Sequence, residues 1–245
     1  MNHFTLLYEQ LNQGFGYVRI FHIMDTPLLV LASNSPRRRQ LLSWLGLSFS
    51  TTSADIDETP AVGEKPVDYV LRLAEEKSRV CARFAPFGGV VLAADTTVAD
   101  GDQIIGKPLD LEDARNVLVK LRNRTHMVHT AIVLTMPSRG ISVTELCSTP
   151  VKMRAYTQEE IAAYIATGDP LDKAGAYAIQ NEDFHPVSKI SGCYASVMGL
   201  PLCHLERSLR KLGFGSRNAV PFRCQRELAY TCPIYRQVLS GENVG

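Results

Sequence analysis

Leu28-Leu29-Val30-Leu31-Ala32-Ser33-Asn34-Ser35-Pro36-Arg37-Arg38-Arg39-Gln40-Leu41-Leu42 is the stretch that decides the fold class. Five consecutive apolar residues describe a strand buried on both faces, as in parallel sheets. Ser35 then stands where a helix N-cap belongs and Pro36 where the first turn tolerates proline. Leu41, Leu42 and Leu45 supply an apolar stripe that Gly46 ends. A buried strand feeding directly into a helix is the opening of an α/β unit.

Working outward, Val90-Val91-Leu92-Ala93-Ala94 repeats the buried-strand signal and ends at Asp95, with a hairpin expected around Asp100-Gly101. Between the two runs, Pro66 opens a helix whose apolar face carries Val67, Val70, Leu71, Ala74, Cys81 and Phe84. Leu111 to Leu121 reads as helix, and His126 to Leu134 and Ile141 to Met153 read as strands around a Pro137/Gly140 turn. Thr157-Gln158-Glu159-Glu160 has capping-box spacing for a helix running to Gly168. A last amphipathic helix covers about Pro201 to Leu212 and stops at Gly213. Residues 1–27 and 214–245 read as an N-terminal extension and a C-terminal tail on a core domain of residues 28–213.

The chain has 245 residues, 45% of them apolar, enough to bury a substantial core. With 26 Lys plus Arg against 25 Asp plus Glu, no global field exists to hold a nucleic acid, so an anion must be met locally. No apolar run approaches the roughly 20 residues of a membrane span, and the first residues lack the layout of a signal peptide. The expected location is cytoplasmic, with the six dispersed cysteines as reduced thiols. Cys203, His204, Cys224 and Cys232 invite a metal reading, but no C-x-x-C spacing supports it.

Ser33 to Arg39 lies at a strand-to-helix junction, where free backbone N–H groups, the helix dipole, hydroxyls and guanidiniums form an anion cradle. A solvated basic first turn is the competing account. Lys77 falls on the apolar stripe one turn from Ala74 and one from Cys81, either snorkelling or aimed at a bound anion. As a partly buried charge, its removal is expected to leave or raise the melting temperature. Asp95, at a strand end, suits metal binding, water activation or a plain turn. Gly101 to Lys107 matches the first seven positions of a P-loop, yet Pro108 replaces the Ser/Thr and the setting is a hairpin. Lys107 still offers a point charge to phosphate. His126 and His129, three apart in a strand, face opposite sides and make a poor metal pair.

These segments form a recognisable succession: Leu31 to Arg38, Asp57-Glu58, Glu76-Lys77, Ala94-Asp95-Thr96, Gly106-Lys107-Pro108, Ala174 to Gln180 and Gly199-Leu200-Pro201-Leu202. It resembles the Maf family, the septum-formation-inhibitor-like nucleoside triphosphate pyrophosphatases, over about Leu28 to Gly213. The resemblance implies an α/β fold, a central twisted mixed sheet flanked by helices and bent around a deep nucleotide-binding cleft, in homodimers. It implies hydrolysis between the α and β phosphates with a divalent metal, Mg²⁺ or Mn²⁺. By motif position Asp95 matches the proton acceptor, Lys77 and Lys107 with Ser33, Arg37 and Arg38 match the phosphate-handling set, and Glu58 matches an acidic residue that assists Asp95 with metal. Arg37, Thr96 and Gln180 match the branch acting on dTTP and UTP rather than 7-methyl-GTP. The chain departs from the common pattern at Asn34 and Ala195. Two rival readings are a non-catalytic nucleotide-binding regulator of cell division and a nucleic-acid binder using Arg37 to Arg39; near-zero net charge disfavours the second.

Overall fold

The computed structural model describes residues 28–245, so the N-terminal extension, residues 1–27, lies outside the described residues. The opening stretch folds as read: strand β1 (Leu29–Ala32) leads into helix α1 (Pro36–Ser43). Ser35 Oγ caps it by accepting from the Arg38 N–H at 3.4 Å. Gly46, at φ +72°, turns the chain into β2 (Phe49–Thr52), which is followed by α2 (Pro66–Ala82). The hairpin of β3 (Val90–Asp100) and β4 (Gln103–Ile105) closes through the two residues Gly101 and Asp102, then α3 (Leu111–Leu121) follows. Strands β5 (Thr125–Met136) and β6 (Ile141–Met153) form a long antiparallel pair. Helix α4 (Gln158–Ala166) begins at the Thr157 capping box. Beyond it come β7 (Val187–Ile190), α5 (Tyr194–Val197), α6 (Leu202–Lys211), α7 (Val220–Glu227) and α8 (Tyr235–Ser240).

Among the described residues, seven strands make one mixed sheet in the order β2-β1-β3-β5-β6-β7, with β4 on β3. Only β1 is paired in parallel, to β2 and to β3; the other pairs are antiparallel. Alternation along β3 divides the interior. One face presents Val91 and Ala93, which with Val30, Ala32 and Cys81 form a core under α2. The opposite face carries two separate clusters. Leu92 and Ala94 join Leu41, Leu42, Leu205 and Leu209, while Val98 joins Leu118, Ile161 and Tyr164.

Two expectations are corrected. Asp95 does not end its strand: β3 continues to Asp100 because β5 pairs it through Ala99. What ends near Asp95 is the parallel part, since β1 reaches only Ala93 and β4 begins at Val98. Among the described residues, positions 94 to 97 of β3 therefore have no strand partner on that side. Phe84 is not part of the α2 core face; the helix ends at Ala82, and Phe84 is 82% exposed.

The segment after Gly213, read as a tail, is docked on the domain. Asn218 Nδ2 donates to the Trp44 carbonyl at 2.8 Å, the Arg217 N–H donates to the Leu45 carbonyl at 3.0 Å, and Val220 and Val238 are buried. Arg207 of α6 pairs with buried Glu145 of β6 and donates to the carbonyls of Val238 and Glu242 at 3.1 and 2.7 Å. Among the described residues no helix is long and apolar enough to cross a membrane.

Candidate active site

Where β1 stops and β3 keeps β5 on one side only, a cleft of about 1070 Å³ opens. This stretch of β3, open on one side, points Asp95 and Thr97 to the α2 face and Thr96 to the opposite one, so the cleft straddles the strand edge. All nine residues singled out from the sequence line it: Ser33, Arg37, Arg38, Glu58, Lys77, Asp95, Thr96, Lys107 and Gln180. They arrive from six regions: the β1–α1 junction, the loop before α2, α2 itself, β3, the segment after β4 and the turn after α4.

On the α2 side, Lys77 is not a free cation. Its Nζ lies 2.7 Å from Asp95 Oδ1 and 2.6 Å from Glu58 Oε1, with the lysine side chain 12% exposed. Tyr69, Leu73 and Lys77, spaced by four residues on α2, all face the cleft. Tyr69 donates to the Glu58 carbonyl at 2.8 Å, fixing the loop that carries that carboxylate. Burial, with the negative charges of Asp95 and Glu58 nearby, pushes the Tyr69 hydroxyl up to about 12, so it stays a donor. Burial works to raise Glu58, but the hydrogen bond and charge of Lys77, helped by Lys107 and Arg38, hold it below the usual carboxylate range.

On the other side, Arg38 is clamped. Its Nε donates to the Gly199 carbonyl at 2.9 Å, Nη2 to Thr96 Oγ1 at 3.1 Å and Nη1 to Ser33 Oγ at 3.4 Å. Burial lowers the pKa of this guanidinium and Asp95 opposes the change; the group stays charged, as arginine does. Arg37 and Lys107 line the same cleft and make no ion pair among the described residues. Arg39 instead turns back to the Asn34 carbonyl at 2.9 Å, outside the lining. Gln180 sits exposed at the far wall, beyond Tyr177.

Sequence reasoning missed several wall residues. Lys173 is buried and held by Asp169 at 2.9 Å, and Asp169 accepts from Tyr164 Oη at 2.6 Å, an arrangement that braces the turn leading to Gln180. Their signal was faint, because the turn is built from 3₁₀ segments whose facing only the fold sets. Gly199 could have been suspected from Gly-Leu-Pro: it adopts φ +111°, and a Cβ there would come within 3.2 Å of Arg38 Nε.

The metal expectation at Glu58 and Asp95 meets a donor set of hard oxygens of the kind Mg²⁺ and Mn²⁺ take. With Lys77 between them, the two carboxylates leave a net charge of about −1 facing the phosphate side. The Thr97 hydroxyl, buried two residues beyond Asp95, has no hydrogen-bond partner among the described residues, an oxygen that a metal-bound water would satisfy. The group fits there, although among the described residues no three His, Cys, Asp or Glu are already assembled as a metal cluster. Toward the C-terminus Cys193 and Cys203 are buried and Cys224 and Cys232 half-buried. Cys193, Cys203, Cys224 and Cys232 border one small pocket, and burial pushes Cys224 up to about 12. His126 bonds Tyr177 Oη and His129 bonds Ser148 Oγ, both at 2.8 Å, as expected of histidines on opposite faces.

A family model described as Maf-like protein matches residues 28–212. The dTTP/UTP pyrophosphatase of Citrifermentans bemidjiense is 47% identical over 190 residues, 78% of this chain and 98% of its own length. That of Myxococcus xanthus is 47% identical over 189 residues, covering 77% and 94%. A dTTP/UTP pyrophosphatase of Dehalococcoides mccartyi is 37% identical over 215 residues, 87% and 95%. Among solved structures, the Staphylococcus aureus Ham1 protein aligns with 52% of this chain and 72% of its own at a TM-score of 0.37 and 15% identity.

Proposed function

The chain belongs to the Maf family, and from that premise we propose that it is a nucleoside triphosphate pyrophosphatase acting on dTTP and UTP, releasing the nucleoside monophosphate and diphosphate. The observation that carries the reading is the convergence of nine motif residues on one cleft with cations on one wall and a Lys77-bound carboxylate pair on the other. Relatives that share nearly half their residues over almost their whole length bear the same activity in their names.

Arg38 is pre-organised by three hydrogen bonds, so neutralising a triphosphate there costs little side-chain entropy. Arg37 and Lys107, which have no carboxylate partner among the described residues, offer charge to the remaining phosphate oxygens. Lys77 does not meet the nucleotide first; it holds the Asp95 and Glu58 carboxylates at one point and keeps Glu58 below the usual carboxylate range. Asp95 then orients a water toward the α phosphorus and accepts its proton as the bond to the departing diphosphate breaks. Glu58 and Asp95 would hold a Mg²⁺ or Mn²⁺, which neutralises phosphate charge and polarises the attacked group when bound. Arg37, Thr96 and Gln180 read the base.

The same reading includes a homodimer, nucleotide rather than polynucleotide as the anion, and a reducing, cytoplasmic setting; six free thiols and a net charge of +1 support the last two. Light scattering on the purified chain tests the dimer. The decisive assay is diphosphate release over a panel of dTTP, UTP, CTP, ATP, GTP and 7-methyl-GTP, with Mg²⁺ and with chelator. Turnover should be fastest for dTTP and UTP and vanish on chelation. Preference for 7-methyl-GTP would overturn the base reading, and no release from any nucleotide would leave a binding protein of the cell-division regulator kind.

A further inference from the structure

Thr130 lies on β5 with no exposed surface, directly across the β3–β5 register from Thr96. Its hydroxyl donates to the Ser196 carbonyl at 2.8 Å. Thr130 Oγ1 is also 3.0 Å from Thr96 Oγ1. A hydroxyl has one proton, and that of Thr130 is committed to a carbonyl, which can only accept. Thr96 must therefore be the donor in the second bond. Arg38 Nη2 meanwhile donates to Thr96 Oγ1 at 3.1 Å. The proton of Thr96 points away from the cleft, one lone pair is taken by Arg38, and what Thr96 has left to offer a ligand is a single acceptor position.

We propose that Thr130 is a positioning residue for nucleobase choice: by fixing Thr96 as an acceptor, it makes the cleft select a base with a ring N–H. Uracil and thymine carry an imide N–H, whereas cytosine presents a bare acceptor nitrogen at the same ring position. Phosphate oxygens are acceptors too, so a hydroxyl without a free proton does not suit them. An acceptor facing an acceptor leaves both unpaired, and a site built for an N–H rejects the analogue lacking it. The inference rests on the pyrophosphatase reading and on Thr96 facing the base. It explains why a polar Thr–Thr pair interrupts an otherwise apolar face, between Ala94 and Ile132 on one side and Val98 and Val128 on the other.

The test compares kcat/KM for UTP and CTP in the full chain with Mg²⁺, for wild type, Thr130→Val and Thr130→Ser. Thr130→Val keeps the volume, and the Ser196 carbonyl still accepts from the Gly199 N–H at 2.8 Å, so no carbonyl is orphaned. Without an inward acceptor, the Thr96 proton is free to turn to the cleft and serve cytosine. The UTP/CTP ratio should fall by about tenfold in Thr130→Val, with the change in KM, and stay near wild type in Thr130→Ser. If Thr130→Val does not fold, Thr130→Ala serves for the same comparison. An unchanged ratio in an active variant overturns the proposal, as does an equal loss for both nucleotides or a ratio that collapses in Thr130→Ser. If wild type hydrolyses neither nucleotide, the enzyme reading fails, and the UMP/CMP affinity ratio measured by calorimetry judges Thr130 by the same criterion.

Discussion

Asp95 Oδ1 has Lys77 Nζ as its hydrogen-bond partner, and both side chains are about one-tenth exposed. Asp95→Asn keeps the shape and removes the charge. Diphosphate release should drop at least ~100-fold, the usual scale for a general base, while circular dichroism stays native; near-normal turnover in the purified variant would remove Asp95 from the chemistry. Lys77 is where the structure changes an expectation. As an isolated buried cation it could be deleted without loss of stability, but it is paired with two carboxylates, and removing it leaves the buried Asp95 without its charge partner. Lys77→Ala should therefore lower activity and also lower Tm, by about 2–4 °C for each kcal/mol lost in a chain of this size. A differential scanning experiment that finds Tm raised would show that the lysine is not serving the pair.

At the scale of elements, the α1 junction and the α5–α6 connection work together, because the Arg38 donated by one is aimed by a carbonyl of the other. Gly199 makes this possible through a left-handed backbone that side chains rarely adopt. Gly199→Ala brings a Cβ to 3.2 Å from Arg38 Nε and 3.4 Å from Thr96 Oγ1. We expect the arginine to be displaced and kcat/KM for dTTP to fall about 10–100-fold, the order expected for misplacing a positioning group. Steady-state kinetics at wild-type values would show that the clamp is dispensable. Helix α1 itself was legible because its start is local: Ser35 and Pro36 need only their own neighbours. The length of β3 was not legible from its apolar run, since Asp95, Thr96 and Thr97 are kept in the strand by pairing to Ala131, Thr130 and His129 far along the chain.

For the whole molecule, the segment after Gly213 and the buried histidines set how stability responds. Arg207→Met leaves Glu145, 7% exposed, with Ser208 and the distant Lys211 as its remaining partners. The loss should be about 3–5 kcal/mol, read as a shift in guanidinium midpoint, and adding Glu145→Leu should recover much of it. Burial holds His126 and His204 at about 4, below the ordinary value of 6.5. The unfolded chain binds protons between those values that the native one does not, so stability is full above about pH 6.5 and falls as pH drops toward 4. Each histidine contributes up to about 1.4 kcal/mol per pH unit. Guanidinium midpoints at pH 7.5 and 5 should show the decline, and the His126→Gln/His204→Gln double variant should flatten it.

The sequence by itself determined the α/β class, the starts of α1 and α4, both bounds of α3 and β6, and the set of polar residues that meets in the cleft. Those features follow from periodicity, caps and residue chemistry over a few neighbours, together with motif order. Only the tertiary structure decided what each polar group faces. Lys77 became a bridge between Glu58 and Asp95, Thr96 an acceptor through Thr130, and the segment after Gly213 a docked one, because each outcome depends on partners brought together by sheet pairing and helix docking. A local pattern fixes where a side chain leaves the backbone; its protonation, direction and partners are set by the groups that distant segments place around it.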